Sequence, residues 1–263
     1  MQTQVRAWDP GIDGVVEVLH ARFVDHDYPA HTHDSWTLLI VDSGAIGYDM
    51  AGTHHASVRT SVTLLPPHVP HDGRTVTASG FRKRVVYLEA DLLHGVGQAV
   101  DAPDISDPTL RDRLSRLHRS LGRPGDEFEA QSRLEFVLER LQAHLGPTAR
   151  DGGRVSPTIR RDAAMAGRLR DLLDARIVDG VTLGEAGEAL NASPTYLVRA
   201  FTREYGIPPH RYLVGRRIDV ARRLLLAGVP AVDVATASGF HDQAHLHRHF
   251  RRFLGTTPGR FRA

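Results

Sequence analysis

Two short helix–turn–helix patterns near the end of the chain constrain its fold more than anything else in the sequence. The first runs through Ala189-Leu190-Asn191-Ala192-Ser193-Pro194-Thr195-Tyr196-Leu197-Val198-Arg199-Ala200-Phe201, and the second through Gly239-Phe240-His241-Asp242-Gln243-Ala244-His245-Leu246-His247-Arg248-His249-Phe250. In each, an apolar-periodic segment ends on a residue that tolerates left-handed backbone, Asn191 or Gly239. A polar cap, Ser193 or Asp242, then opens the next helix. Pro194, directly after its cap, obeys the same rule. Leu183, Ala186 and Leu190 are expected on the buried side of the first supporting helix, with Leu197, Ala200 and Phe201 facing the core from the next. Val232, Ala235 and Phe240, then Leu246, Phe250 and Phe253, take these parts in the second unit. Thr195, Val198, Arg199 and Thr202 are left outward in one unit, and Gln243, Ala244, His247 and Arg248 in the other. Two such units joined by a long helix, Pro208 to Leu226, suit the reading of two grooves of double-stranded DNA.

Gln and Arg make bidentate contacts with adenine and guanine edges, and Arg251, Arg252, Arg260 and Arg262 are placed to hold phosphates. On the long helix, Arg216, Arg217, Arg222 and Arg223 are expected on a solvated or backbone-facing side. Charge follows the same division. Residues 154–263 hold 18 Arg against 10 Asp and Glu, a net +8, whereas residues 1–153 hold 15 Lys and Arg against 21 Asp and Glu, a net −6. A basic half beside an acidic one is the footprint of a nucleic-acid-binding module joined to something else.

In the acidic half, Val15 to Phe23, Trp36 to Val41, Ile46 to Met50, Ser61 to Leu65 and Phe81 to Leu88 alternate with turns, among them Asp42-Ser43-Gly44 and Ala51-Gly52-Thr53. Strands at this spacing predict an all-β sandwich or small barrel over residues 1–100. Leu110, Leu114, Leu117 and Leu121 then recur at helical spacing. After a break at Gly122 to Gly125, Asp126 and Glu129 have the form of a capping box. It opens a second helix with Leu134, Val137, Leu138, Leu141 and Leu145 on one side. This αα-hairpin, residues 101–146, serves either to pack on the β domain or to join two copies of the chain. Residues 147–158, rich in Gly and polar side chains, read as a linker, and 159–263 as an all-α domain. A chain of 263 residues is long enough for two domains with a core each. Its apolar runs fall far short of the ~20 residues of a membrane span. There is no Cys for a disulfide framework or thiolate metal site, and no apolar signal segment at the N-terminus. A cytoplasmic location is the expectation.

Together with Arg217-Ile218-Asp219-Val220-Ala221-Arg222-Arg223-Leu224-Leu225 and Gly255-Thr256-Thr257-Pro258-Gly259-Arg260-Phe261-Arg262, the two patterns make residues 160–263 resemble the DNA-binding domain of AraC-family transcription regulators. The resemblance implies that each recognition helix enters a major groove of promoter DNA. Thr195, Val198 and Arg199, then Gln243, Ala244, His247 and Arg248, would face the bases. It also implies a homodimer, with RNA polymerase as a further candidate partner. The first unit departs from the family pattern: Gly187 stands where Ala is usual, and Ala186 and Ala192 where larger apolar residues are common. A mid-helix Gly costs about 1 kcal/mol relative to Ala. The first unit is therefore expected to be the looser, and sequence discrimination to rest more on the second.

His31-Thr32-His33 precedes one strand, and Pro66-Pro67-His68-Val69-Pro70-His71 closes a later one. This resembles the AraC-type ligand-binding barrel, which is cupin-like. Cupin enzymes hold a metal with a His-x-His pair, a Glu a few residues later and a His on a following strand. His31, His33 and His71 fit three of those places; the Glu place falls at Thr37, a poor ligand, and His68 stands where Gly is usual. Three neutral imidazoles can still bind zinc or iron. The preferred reading has no metal or other cofactor: a pocket in which His31, His33, Trp36, Tyr48, His71 and Tyr87 contact a small-molecule effector. Barrels of this family usually sense rather than catalyse, so the chain reads as an effector-controlled regulator and not an enzyme. The alternative is a metal-dependent cupin enzyme with a DNA-binding appendage. His241, His245 and His249, four apart on one helix, read as DNA-facing or exposed, because no carboxylate or Cys completes a metal set.

Overall fold

The five apolar runs of the N-terminal half form strands, and so do segments between them that carry no apolar alternation. A computed structural model describes residues 3–123, 125–146 and 157–261. It contains β1 (Gln4–Trp8), β2 (Val15–Phe23), β3 (Asp27–His31), β4 (Trp36–Ser43), β5 (Ile46–Met50), β6 (Thr53–Ser57), β7 (Val62–Leu65), β8 (His71–Thr75), β9 (Phe81–Leu88), the short helix α1 (Val96–Asp101) and the two-residue β10 (Asp104–Ile105). These strands build a six-stranded sheet in the order β1-β2-β9-β4-β7-β10 and a four-stranded sheet in the order β3-β8-β5-β6. All neighbours are antiparallel. The expected turns are present, with Gly44 at φ 74° and the pair Ala51 and Gly52 at φ 50° and 79°.

Helices α2 (Pro108–Ser120) and α3 (Glu127–Leu145) form the hairpin. Their leucine stripes pack on one face of the six-stranded sheet, against Val18, Leu38, Ile40, Val62, Leu64, Val86 and Leu88. The stripe is thereby used inside the chain. A second copy docking on this hairpin would meet the far side of α3, where Phe128 and Phe136 are exposed. The expected capping box is not formed. Asp126 has φ −97° and ψ 21° rather than extended N-cap backbone, and its side chain accepts no cap bond. The Glu127 carboxylate instead accepts from the Gly125 N–H at 3.0 Å.

Of the expected linker, residues 147–156 lie outside the described residues, and 157 and 158 belong to α4 (Pro157–Ala175). There follow α5 (Leu183–Leu190), α6 (Pro194–Tyr205), α7 (Pro209–Leu226), α8 (Ala231–Ala237), α9 (Gln243–Leu254) and α10 (Pro258–Phe261). No helix among the described residues is long and apolar enough to cross a membrane. Asn191 takes left-handed backbone at φ 49°, and Ser193 accepts from the Tyr196 N–H. Gly239 turns at φ 80°, and Asp242 accepts from the His245 N–H at 2.7 Å. Leu183 and Val232, expected inward, are 43% and 64% exposed. Each lies in the first turn of its helix, ahead of the residues that meet the core.

Gly187 corrects the reasoning about the first unit. A Cβ there would lie 2.8 Å from the Ala192 carbonyl oxygen, so glycine is what lets α5 approach its own turn. Helix propensity alone predicts a gain of about 1 kcal/mol for Gly187→Ala. The contact predicts a loss of about 1–3 kcal/mol instead. The urea midpoint of the variant decides the sign.

Each domain has a core of its own, the hairpin against the sheet in one and the first helix–turn–helix unit in the other, but a third core is shared between them. The first unit closes around Leu169, Leu173, Leu190, Leu197, Phe201 and Tyr212. The second unit does not close alone: Ile218, Val234, Phe240, Leu246, Phe250 and Phe253 are continuous with Leu19, Phe23, Leu39, Phe81 and Val85 on the other face of the six-stranded sheet. Helix α7 serves both clusters.

Candidate effector cavity and nucleic-acid interface

The inner face of the β domain encloses a cavity of about 60 Å³ lined by Tyr28, His31, His33, Thr37, Tyr48, His71, Lys83 and Tyr87, among others. Phe253 and Leu254, the last apolar residues of α9, line it from the helical domain. His31 and His71 face each other across β3 and β8. Ring centroids are 4.7 Å apart for His31–His71, 4.8 Å for His31–His33 and 5.4 Å for His33–His71. The backbone at His68 is left-handed, φ 63°, and its N–H donates to the His33 carbonyl at 2.8 Å. The place where glycine is usual therefore does require that conformation.

Trp36, expected in the pocket, is not among the lining residues. Side chains alternate along β4, so Thr37 faces the cavity while Trp36 is fully buried on the hairpin side, its indole N–H donating to the Ala90 carbonyl at 3.1 Å. The Thr37 hydroxyl is buried, without a hydrogen-bond partner among the described residues.

Each of the three imidazoles has its Nδ1 on an acceptor: His31 on the Pro29 carbonyl at 2.7 Å, His71 on the Val69 carbonyl at 3.1 Å, His33 on Asp219 Oδ1 at 3.3 Å. Carbonyl and carboxylate oxygens only accept, so Nδ1 carries the proton and Nε2 the lone pair. Burial holds His31 and His33 well below the usual histidine range and pulls His71 down to about 4, so all three are neutral. Lys83, with its ammonium 4.4 Å from the centre of the Tyr28 ring, is pulled down to about 7 by burial and by the Arg222 guanidinium.

Asp219 lies on α7, and around it the domains are joined by charge. Arg222 donates to Glu17 at 2.8 and 3.2 Å and to Asp219 at 3.4 Å, and stands 4.3 Å over the Tyr87 ring. Arg216 donates to Asp219 at 3.0 Å, Asp34 at 3.1 Å and Asp174 at 3.2 Å. Arg223 reaches Asp34 at 2.7 Å, and Arg217 donates to the Ile177 carbonyl at 2.8 Å. Burial opposes ionisation of Asp34, but Arg216 and Arg223 outweigh it and hold its carboxyl far below the usual range. The expected solvated arginine face is thus corrected: Arg216 and Arg222 are buried, 6% and 3% exposed. Part of the charge asymmetry is neutralised across the domain contact instead of being offered to DNA.

On α6, Thr195 and Arg199 are exposed and Val198 is half-buried. On α9, Gln243, Ala244, His247 and Arg248 are all exposed, as are Arg251, Arg252 and Arg260; Arg262 lies outside the described residues. His245 and His249 lean on the Phe240 ring. Among the described residues, the His, Cys, Asp and Glu group spaced to hold a metal is His31-His33-His71, with ligand atoms within 4.8 Å of one another.

Sequence reasoning missed Lys83, Glu17, Asp34, Asp219 and the two α9 residues that line the cavity. Two signals were available. Lys83 is the only Lys in the chain. Arg216, Asp219 and Arg222 fall at i, i+3 and i+6, a charged stripe on one helix face that asks for partners.

A β-rich domain enclosing a small cavity, joined to a helical domain with two helix–turn–helix units, defines a DNA-binding regulator with a ligand-binding domain. The family description AraC-like ligand binding domain matches residues 13–138, and a helix-turn-helix domain matches residues 187–263. The HTH-type transcriptional regulator YbfI of Bacillus subtilis is 21% identical over 254 residues, 93% of this chain and 90% of that protein. The HTH-type transcriptional activator RhaS of Escherichia coli is 24% identical over 250 residues, 91% and 89% of the two chains. The crystal structure of ToxT from Vibrio cholerae with a bound unsaturated fatty acid shares the fold, with TM-score 0.56 at 11% identity over 98% of this chain and 92% of that one. The chain belongs to the AraC family of transcription regulators.

Proposed function

We propose that this regulator binds a specific promoter sequence through α6 and α9, and that a small polar effector in the β-domain cavity controls the binding. In this reading residues 1–100 sense, 101–146 relay or dimerise, and 159–263 bind DNA. Thr195, Val198, Arg199, Gln243, Ala244, His247 and Arg248 meet the bases, and His31, His33, Tyr48, His71 and Tyr87 meet the effector, joined by Lys83. A homodimer and contact with RNA polymerase belong to the same proposal.

The observation that supports it is the double position of α9. One face carries the exposed Gln243, Ala244, His247 and Arg248, while Phe253 and Leu254 line the cavity. A ligand shifts an equilibrium only through different affinity for its two states. One that needs more than the present 60 Å³ must displace lining residues, and Phe253 and Leu254 are the two through which such a displacement reaches the helix. ToxT binds a fatty acid; three histidines and a lysine around a small cavity favour a smaller, more polar molecule here.

Fluorescence anisotropy on upstream DNA, at physiological salt with non-specific competitor, tests the reading. Binding is expected to survive competition and to change with effector. Arg248→Ala should cost about 1–3 kcal/mol and relax the base preference, and Arg199→Ala should relax it less. Equal loss of discrimination in the two variants would refute the leading role of the second unit. Affinity that competitor abolishes under every effector tried would refute the regulator reading itself.

A further inference from the structure

We propose that His31, His33 and His71 bind one divalent transition-metal ion, zinc or ferrous iron, and that Asp219 of the DNA-binding domain is the carboxylate that orients His33 toward it. The inference rests on reading this cavity as the effector site and names what occupies it.

One ring nitrogen of each histidine lies within 4.8 Å of its two counterparts. Tetrahedral zinc with Zn–N bonds near 2.0–2.1 Å sets its nitrogens about 3.4 Å apart, so modest rotations of the rings complete the set. Nδ1 of each ring is tied to an acceptor, and among the described residues Nε2 makes no hydrogen bond, the division that metal-ligating histidines show. Three neutral nitrogens without thiolate select zinc or ferrous iron over calcium or magnesium. A water or small ligand completing the set would lie in the cavity, where the Thr37 hydroxyl has no hydrogen-bond partner among the described residues. A space of about 60 Å³ leaves room for an ion with a small ligand.

The three outer acceptors come from different places. Pro29 and Val69 offer backbone carbonyls of the β domain, whereas Asp219 is on α7 and is shared with Arg216 and Arg222, which grip Asp34 and Glu17. Ion binding and domain docking therefore use one carboxylate. By reciprocity of linked equilibria, an ion that prefers the docked arrangement is in turn held more tightly by it.

The test is calorimetric titration of the full chain, stripped with chelator, using Zn²⁺ and, anaerobically, Fe²⁺. One ion per chain is expected, abolished by combined His31→Ala and His71→Ala and retained by combined His245→Ala and His249→Ala. Asp219→Asn should bind about 10–100-fold more weakly, and its small-angle scattering profile should respond less to zinc than that of the unaltered chain. Thr37→Glu, which adds a carboxylate beside the ring trio, should tighten binding at least tenfold, a gain that misfolding does not mimic. No bound ion, the same ion bound by the double His31, His71 variant, or no gain from Thr37→Glu overturns the site; unchanged affinity in Asp219→Asn overturns the linkage. If no ion binds but an organic effector alters DNA affinity, the inference fails and the regulator reading stands. An ion bound at the histidines with no DNA response leaves the reverse.

Discussion

Glu17→Ala is expected to destabilise the chain by about 3–5 kcal/mol, because it strands a buried guanidinium. Glu17 and Arg222 are each 3% exposed, and two hydrogen bonds join them across the domain contact. Burial pushes the Glu17 carboxyl up while Arg222 works against it, so neither charge is tolerated without the other. With the carboxylate gone, Arg222 keeps, among the described residues, the longer bond to Asp219 at 3.4 Å and the Tyr87 face. Changing both residues to Met leaves no orphan charge, and should cost clearly less than the sum of the single changes. Urea unfolding measures all three. Glu17→Ala should also split the transition, since the second helix–turn–helix unit relies on the β domain for part of its core. A loss under about 1 kcal/mol would mean that the pair behaves as a solvated surface bridge.

Gly239→Ala is the second large effect, expected at roughly 2–6 kcal/mol from two additive causes. Left-handed backbone at φ 80° costs a residue with a Cβ about 1–3 kcal/mol. The new methyl would also stand 2.7 Å from the carbonyl oxygens of Ile177 and Val178 and 2.8 Å from Arg217 Nε, an overpacking worth about 1–3 kcal/mol. Gly206→Ala is the matched control: φ there is 67°, but nothing lies within 4 Å of the added Cβ. It should show the strain without the clash. DNA affinity should fall with Gly239→Ala because the turn sets the entry of α9, and circular dichroism separates that from global unfolding. If both variants lose the same stability, the clash has been relieved by movement of the 177–178 segment.

The helical half was legible because its decisive interactions are local. Asn191, Ser193, Gly239 and Asp242 satisfy backbone groups within a few residues of themselves, and all four sit as read. Locality also explains the failure at Asp126, where the residue types of a capping box are present but the backbone is not extended. Among the strands, β1, β3, β6, β8 and β10 escaped notice; β3 and β8 carry polar residues toward the cavity, which reverses the alternation that marks a half-buried strand. The choice between Trp36 and Thr37 depends on strand phase, and one residue of phase exchanges the two faces.

By itself, then, the sequence determined five of the strands, the helical hairpin, the two helix–turn–helix units and the histidines worth watching, since period and cap chemistry act over a handful of neighbours. Tertiary structure alone decided that Arg216 and Arg222 are buried, that Asp219 faces His33, and that α9 borders the cavity. A charged side chain reads the same on paper whether it meets water or a carboxylate; Glu17 and Arg222 are 205 positions apart, and only the fold brings them together.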